Sequence, residues 1–316
     1  MTYLLLLEGL LALVLLVYLA RSVRIIGSKL TANHSTLTKK LNEIEKLISE
    51  QEKTNSIARQ LLYLPLMLAK SNKPEFAVTL TSHRPRFEKL SLILQDLKKQ
   101  SLQPTKILLN IAHDEMQFLP ADVLKLATEG YIQIVGCEDF GPAKKLIPTL
   151  KTVDAMPIIV IDDDLIYKTD LFLQLMIAHH LNPTAIISAR VHRLTQNENQ
   201  DVNEFQHWDK QFESSPGLRA DLLPTSGAGT LFPIGSLHSD ASDGKLYEEY
   251  ARNTDDLWWY FQARRIGTLV MRIDGFGALD FVAATQEVGL WANGNQERNE
   301  VNLKLLLSKY GNPILM

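Results

Sequence analysis

The chain has 316 residues, of which 46% are hydrophobic and 22% charged, with a formal net charge of −3. This is a globular composition with no basic surplus to draw nucleic acid. Cys137 is the single cysteine, which excludes an intramolecular disulfide and any metal site built from several thiolates.

In chain order, residues 3–20 form a run that is apolar apart from Glu8. At about 1.5 Å per residue it just reaches across a hydrocarbon core of about 30 Å. Arg21, Arg24 and Lys29 follow it, and no basic residue precedes it. That pattern predicts a single-pass membrane anchor over residues 1–27, not a cleaved signal, with the C-terminal side in the cytoplasm. A helical stalk is expected over residues 28–73. Its seam of alternating four- and three-residue spacings runs through Leu37, Leu41, Ile44, Ile48, Gln51, Asn55, Ala58 and Leu62. The seam could hold a short coiled-coil homodimer, or the helix could be merely solvated, since Gln51 and Asn55 weaken its middle.

From residue 74 to 316 one domain is expected, in which strands and helices alternate. Strands are predicted at 76–82, 106–112, 131–135, 158–161 and 185–190. Helices are predicted at 86–99, 120–129, 142–153 and 171–180. Continuous apolar strands between helices imply an α/β fold with a mostly parallel central sheet flanked by helices. Residues 194–218 are polar and weakly patterned and predict an excursion or a flexible loop.

Three polar clusters fall at strand ends on one edge of this sheet: Ser82-His83-Arg84, His113-Asp114 and Asp162-Asp163-Asp164. Ligands of open α/β sheets bind beyond such carboxyl ends. Three adjacent carboxylates repel one another unless something neutralises them or water surrounds them. Alternation along an extended segment would put Asp162 and Asp164 on one face. Their hard oxygens suit Mg²⁺ or Mn²⁺. A solvated turn with capping aspartates is the plainer alternative. Further on, Asp255 and Asp256 follow Thr254 at the start of a predicted helix, where carboxylates also serve the helix dipole.

Taken in order, these stretches resemble the GT-A fold of nucleotide-sugar glycosyltransferases, in particular bacterial family-2-like members. VTLTSHRPR (78–86) resembles the first strand and its nucleotide-binding loop. GPAKKL (141–146) resembles a segment preceding the metal strand, and the Asp-x-Asp of 162–164 resembles the metal motif. GAGTLFPIGSL (227–237) resembles a glycine-rich loop near the donor sugar and acceptor. NTDDLWW (253–259) resembles the motif that supplies the base of inverting enzymes. The glycine-rich stretch departs from the pattern in having no tryptophan.

The resemblance implies a Rossmann-like GT-A domain that moves a sugar from a nucleotide diphosphate donor to a glycan or lipid-linked acceptor. A Mn²⁺ or Mg²⁺ ion would be held by Asp162 and Asp164, with His238 as a third ligand. Donor contacts are expected from Ser82, Arg84, Asp114, Lys144, Asp162, Asp163 and Gly229. Lys145 is the alternative to Lys144, and Arg86 and Arg190 are further candidates for base or phosphate. Asp256 is expected to be the general base, with Asp255 second. Trp258 and Trp259 are candidates for packing against sugar, although paired tryptophans in a helix are more often core.

Two other classes compete. A haloacid-dehalogenase-like phosphatase also sets Asp-x-Asp after an apolar strand, but wants a small pair soon afterwards, where this chain has Leu165, Ile166 and Tyr167. A non-enzymatic membrane-tethered scaffold would explain the anchor and leave the acidic clusters idle.

Overall fold

The structure, a computed structural model, describes residues 74–213, 217–282 and 295–316. The expected anchor, stalk and coiled coil fall on residues 1–73 and lie outside the described residues. Among the described residues no helix is long and apolar enough to cross a membrane.

The elements follow one another as β1 (Ala77–Thr81), α1 (Phe87–Asp96), β2 (Lys106–Ala112), α2 (Ala121–Thr128), β3 (Gln133–Cys137), α3 (Ile147–Leu150), β4 (Ile158–Val160), β5 (Leu165–Ile166), α4 (Leu171–Leu181), β6 (Ile186–Ser188), β7 (Val191–Arg193), β8 (Leu222–Pro224), β9 (Thr230–Phe232), α5 (Gly244–Tyr250), α6 (Asp255–Arg264), β10 (Val270–Arg272), β11 (Asp280–Phe281) and α7 (Asn295–Tyr310). Seven strands form the central sheet in the order β10-β6-β9-β4-β1-β2-β3. All neighbours are parallel except β9, which runs antiparallel to both β4 and β6. This is the mixed α/β architecture expected, with a mostly parallel central sheet flanked by helices.

Two features of this topology build the site. The sheet grows outward from β1 in both directions, to β2 on one side and β4 on the other. Crossovers from these strands leave on opposite faces, so a crevice opens beyond their carboxyl ends. The reversal of β9 then brings its first residue, Thr230, beside Val160 at the end of β4. The glycine-rich stretch just before β9 is thereby delivered to the edge where the three aspartates stand.

A buried polar network ties a further segment to the same edge. Thr79 of β1 donates to the Lys145 carbonyl at 2.5 Å and lies 2.7 Å from the Thr149 hydroxyl. Asn110 of β2 donates to Thr79 at 2.9 Å and to Thr149 at 3.1 Å. These groups tolerate full burial because they satisfy one another. The segment they grip is not the single helix expected over 142–153. It is a 3₁₀ turn over Gly141–Lys145 followed by the four-residue α3. Pro148, in the interior of the expected helix, lacks the N–H that a continuous helix would use.

Residues 194–213 are also better organised than their polarity suggests. Phe205 and Trp208 are buried with their rings 5.0 Å apart, and Trp208 Nε1 donates to the Asn203 carbonyl at 2.8 Å. Leu303 and Leu306 of α7 join the same core. Of the two forms expected, an excursion or a flexible loop, the described residues take the first: an excursion from the central sheet whose two aromatic side chains supply a core that the hydrophobic pattern did not reveal.

Candidate functional site

The hydrophobic run of β4 ends at Val160, and the chain then bends through the three aspartates. The bend separates their partners. Asp162 Oδ1 accepts from Lys145 Nζ at 2.9 Å. Asp163 is buried, taking Ser82 Oγ at 2.5 Å on one oxygen and Arg86 Nη1 at 2.6 Å on the other. Asp164 Oδ2 lies 3.0 Å from Arg86 Nη2. The Ser82–Asp163 bond therefore spans the crevice between β1 and β4, and Arg86 forks across two carboxylates, a geometry a lysine could not supply.

Lys145 joins this cluster to the start of α6. Its side chain is buried, and Nζ sits 2.9 Å from Asp162 and 3.0 Å from Asp255 Oδ2. Burial works to lower its ammonium pKa, but the Asp162, Asp255 and Asp256 charges outweigh that and hold it well above the ordinary value. The acidic pair of α6 is thus divided. Asp255 faces inward to Lys145. Asp256 is half-buried, and its Oδ1 accepts from Ser226 N at 2.8 Å and Ser226 Oγ at 2.5 Å. Ser226 belongs to the stretch preceding β9, so Asp256 and Asp162 are held by adjacent residues of one short loop, Ser226 and Gly227.

The middle of that loop is Gly227. A Cβ at this position would stand 1.7 Å from Asp162 Oδ2, so only glycine fits. Asp162 N donates to the Gly227 carbonyl at 3.2 Å and to the Tyr167 hydroxyl at 2.7 Å, while that hydroxyl donates to Gly227 O at 2.6 Å. Backbone of β4 and loop is therefore locked around the first aspartate by one buried tyrosine.

The cluster carries surplus negative charge. Asp162, Asp163, Asp164, Asp255 and Asp256 are faced by the cations Lys145, Arg86 and, at longer range, Arg190. Burial, then the Asp162 charge, push the Asp164 carboxyl up to about 6 against the pull of Arg86. Burial, then the Asp255 charge, do the same to Asp256, also to about 6, against Lys145 and the Ser226 hydrogen bonds. A divalent cation suits such a site. The hard carboxylate oxygens of Asp162 and Asp164 have the donor chemistry that Mg²⁺ or Mn²⁺ prefers. Such ions often use one or two protein carboxylates and complete their shell with water and phosphate oxygens. Among the described residues no three His, Cys, Asp or Glu side chains form a ready cage.

The other residues singled out in the sequence lie elsewhere. His238 is not brought to the aspartates: its backbone N donates to Gln262 O at 3.1 Å near the far end of α6, and its ring faces Asp240 and Arg265. Lys144 is buried against Asp139 instead of facing the cluster. Gly229 has φ +106°, and a Cβ there would meet Leu171 Cδ2 at 2.8 Å, so it shapes backbone beside the core. Arg84 is exposed and stacks on Phe118 at 3.9 Å. Asp114 is exposed in the turn after β2. Both border the β1–β2 side of the edge. Trp258 and Trp259 are fully buried, and Trp258 Nε1 donates to Ala241 O at 3.1 Å. They anchor α6 in the core and offer no face to a sugar.

No family model matches the chain, and no curated relative matches its sequence. Among solved structures, it is similar to S. aureus TarS 1–349 in complex with UDP, with a TM-score of 0.44 and 12% identity over 66% of this chain and 59% of that one. It is also similar to S. aureus TarS 1–349 described without a ligand, with a TM-score of 0.42 and 14% identity over 67% of this chain and 61% of that one. The chain thus spans about three-fifths of the length of those structures.

Proposed function

We propose that this chain is a metal-dependent, inverting glycosyltransferase. It would move a sugar from a nucleotide diphosphate donor to a glycan or lipid-linked acceptor. The observation that carries this reading is the Lys145 bridge, which holds the strand-end aspartates and the helix-start acidic pair in one site, 2.9 Å and 3.0 Å from a single ammonium.

The roles follow from the chemistry. Mn²⁺ or Mg²⁺, when bound, would neutralise the leaving diphosphate. Asp162 and Asp164 are the residues to hold it. Arg86 keeps Asp163 and Asp164 oriented, and Ser82 fixes the crevice wall. Asp256 stands as the base that takes the acceptor hydroxyl proton, with Ser226 holding one carboxylate oxygen so that the other can face the acceptor. Asp255 serves as the counter-charge to Lys145 and keeps the base upright through the first turn of α6.

The apolar run at residues 3–20 supports a membrane anchor with the domain in the cytoplasm. That setting in turn favours a membrane-borne glycan precursor as acceptor. A contact between two chains through residues 37–48, weak at most, belongs to the same proposal.

The test is a thermal-shift and calorimetry screen of nucleoside diphosphates with and without Mn²⁺. Stabilisation by one or more of them that requires the metal and vanishes in Asp164→Ala is the expected result. Indifference to every nucleotide would sink the reading.

A further inference from the structure

Around β7, β8 and β10 stand four arginines. Arg193 pairs with Asp209, Arg219 with Asp221 and Arg272 with Asp274. Arg190 has no carboxylate partner among the described residues. Its Nη1 reaches Thr225 Oγ1 at 3.4 Å, and its Nε is buried without a hydrogen-bond partner. Yet its position is tightly fixed. The Arg190 carbonyl accepts from Ser188 Oγ at 2.8 Å, from Thr225 N at 3.0 Å and from Thr225 Oγ1 at 3.1 Å. Thr225 adjoins Ser226, which holds Asp256. A rigid relay therefore sets this guanidinium beside the proposed base, within reach of its charge but not in an ion pair with it.

Leaving a partly buried guanidinium unpaired is costly, and folds rarely retain one without a use. Two nearby groups do not explain it. His192 is neutral or cationic in any state and so offers no negative charge, and its Nδ1 already accepts from Gln211 N at 3.0 Å. Asp256 attracts Arg190 only at longer range, and its Oδ1 is held by Ser226. A ligand anion would supply the missing partner. It would also answer an electrostatic problem: a carboxylate base repels an anionic acceptor, and a fixed positive charge beside it offsets that repulsion.

We propose that Arg190 reads an anionic group on the acceptor, a phosphate or a carboxylate close to the hydroxyl that receives the sugar. The inference rests on the glycosyl-transfer reading for the word acceptor. The anion site itself stands on the geometry of Arg190, Thr225 and Ser226. Arginine's planar fork suits either anion, and its two parallel donors favour bidentate contact.

The experiment titrates the full chain with inorganic phosphate, glycerol 3-phosphate, glucuronate and neutral glucose by calorimetry, with and without Mn²⁺ and the best-binding nucleoside diphosphate. Wild type should bind the anionic probes at least about tenfold more tightly than glucose, the usual worth of a hydrogen-bonded charge. Arg190→Gln should erase that preference, leave nucleotide binding unchanged, and be partly rescued by Arg190→Lys. The stronger of phosphate and carboxylate probes identifies the group. Equal binding of anionic and neutral probes by wild type overturns the proposal. So does an unchanged preference in Arg190→Gln, and so does a loss of nucleotide binding, which would put Arg190 on the donor. Should Arg190→Gln not fold, Arg190→Lys carries the comparison, since losing the fork should weaken anion binding several-fold. Failure of the transferase reading shows separately, as absence of metal-dependent nucleotide binding in wild type, while the phosphate titration without nucleotide still scores Arg190.

Discussion

Gly227 approaches Asp162 so closely that a Cβ on the glycine would stand 1.7 Å from the carboxylate oxygen Oδ2. Asp162 cannot yield easily, because its backbone N is bonded to Gly227 O and Tyr167 and its Oδ1 to Lys145. In Gly227→Ala the carboxylate must rotate out of its cradle. Metal-dependent nucleotide binding should then weaken by about tenfold or more, with a stability loss of about 1–3 kcal/mol from overpacking. Calorimetry and a denaturant melt on the same preparation separate the two effects. Wild-type affinity in the alanine variant would show that Oδ2 faces away from the ligand.

Asp164 separates a ligand role from a structural one. Its carboxyl is pushed up to about 6, first by burial and then by the charge of Asp162, so in the metal-free protein the ionised form is held at a cost. Asp164→Ala removes that repulsion and leaves Arg86 its second partner, Asp163. The melting temperature without metal should therefore stay near wild type. Stabilisation by Mn²⁺ with a nucleoside diphosphate should disappear. Retained stabilisation would remove Asp164 from the metal site.

Lys145 should behave in the opposite way. Lys145→Met leaves Asp162 and Asp255 facing each other without their shared cation. Removing one member of a buried charge set costs about 3–5 kcal/mol, and the lower end applies here because Asp162 is partly exposed. Lys144→Met, losing only a contact to the exposed Asp139, should cost less. Equal losses for the two variants, read by chemical denaturation, would show that the bridge to Asp255 contributes nothing special.

Much of this was legible in the sequence because it depends on local pattern. The apolar run 158–161 ending in carboxylates, the strand-helix alternation and the Thr254-Asp255-Asp256 helix start each follow from side-chain periodicity and helix-end chemistry. What was not legible depends on long-range packing. Nothing local says that Lys145 and not Lys144 turns inward; that is decided by a 3₁₀ turn over Gly141–Lys145 and by Thr79 and Asn110 gripping the Lys145 carbonyl from distant strands. Gly227 and Gly229 look equivalent in GAG, but one faces Asp162 and the other Leu171, a difference set by residues distant in the chain. His238 directly follows the glycine-rich stretch, yet its backbone is bonded to Gln262 near the far end of α6.

The division of labour between Asp255 and Asp256 gives the last prediction. A base must be ionised, near the acceptor hydroxyl and free of a strong ion pair. Asp255 fails the last condition, since Oδ2 lies 3.0 Å from Lys145 and the side chain is buried. Asp256 meets that last condition, half-buried at the start of α6 with Ser226 fixing one oxygen and no ion pair to it among the described residues, and the proposal sets the acceptor hydroxyl at its other oxygen. Asp256→Asn keeps the shape and can still meet the Ser226 hydroxyl, but cannot take a proton. Transfer should fall by about two to four orders of magnitude while Mn²⁺-dependent nucleotide affinity persists. Asp255→Asn should lower stability by leaving Lys145 half-paired and reduce transfer only modestly. The pH profile supplies an independent reading. Burial and the Asp255 charge raise the Asp256 carboxyl to about 6. The active, ionised form is therefore lost as pH falls through that value, and the transfer rate should drop about tenfold per unit below it, with a plateau above. In Asp255→Asn the repulsive neighbour is gone, so the acid limb should move to lower pH. A profile flat from pH 5 to 8, or a dead Asp255→Asn beside an active Asp256→Asn, would assign the proton transfer to another group.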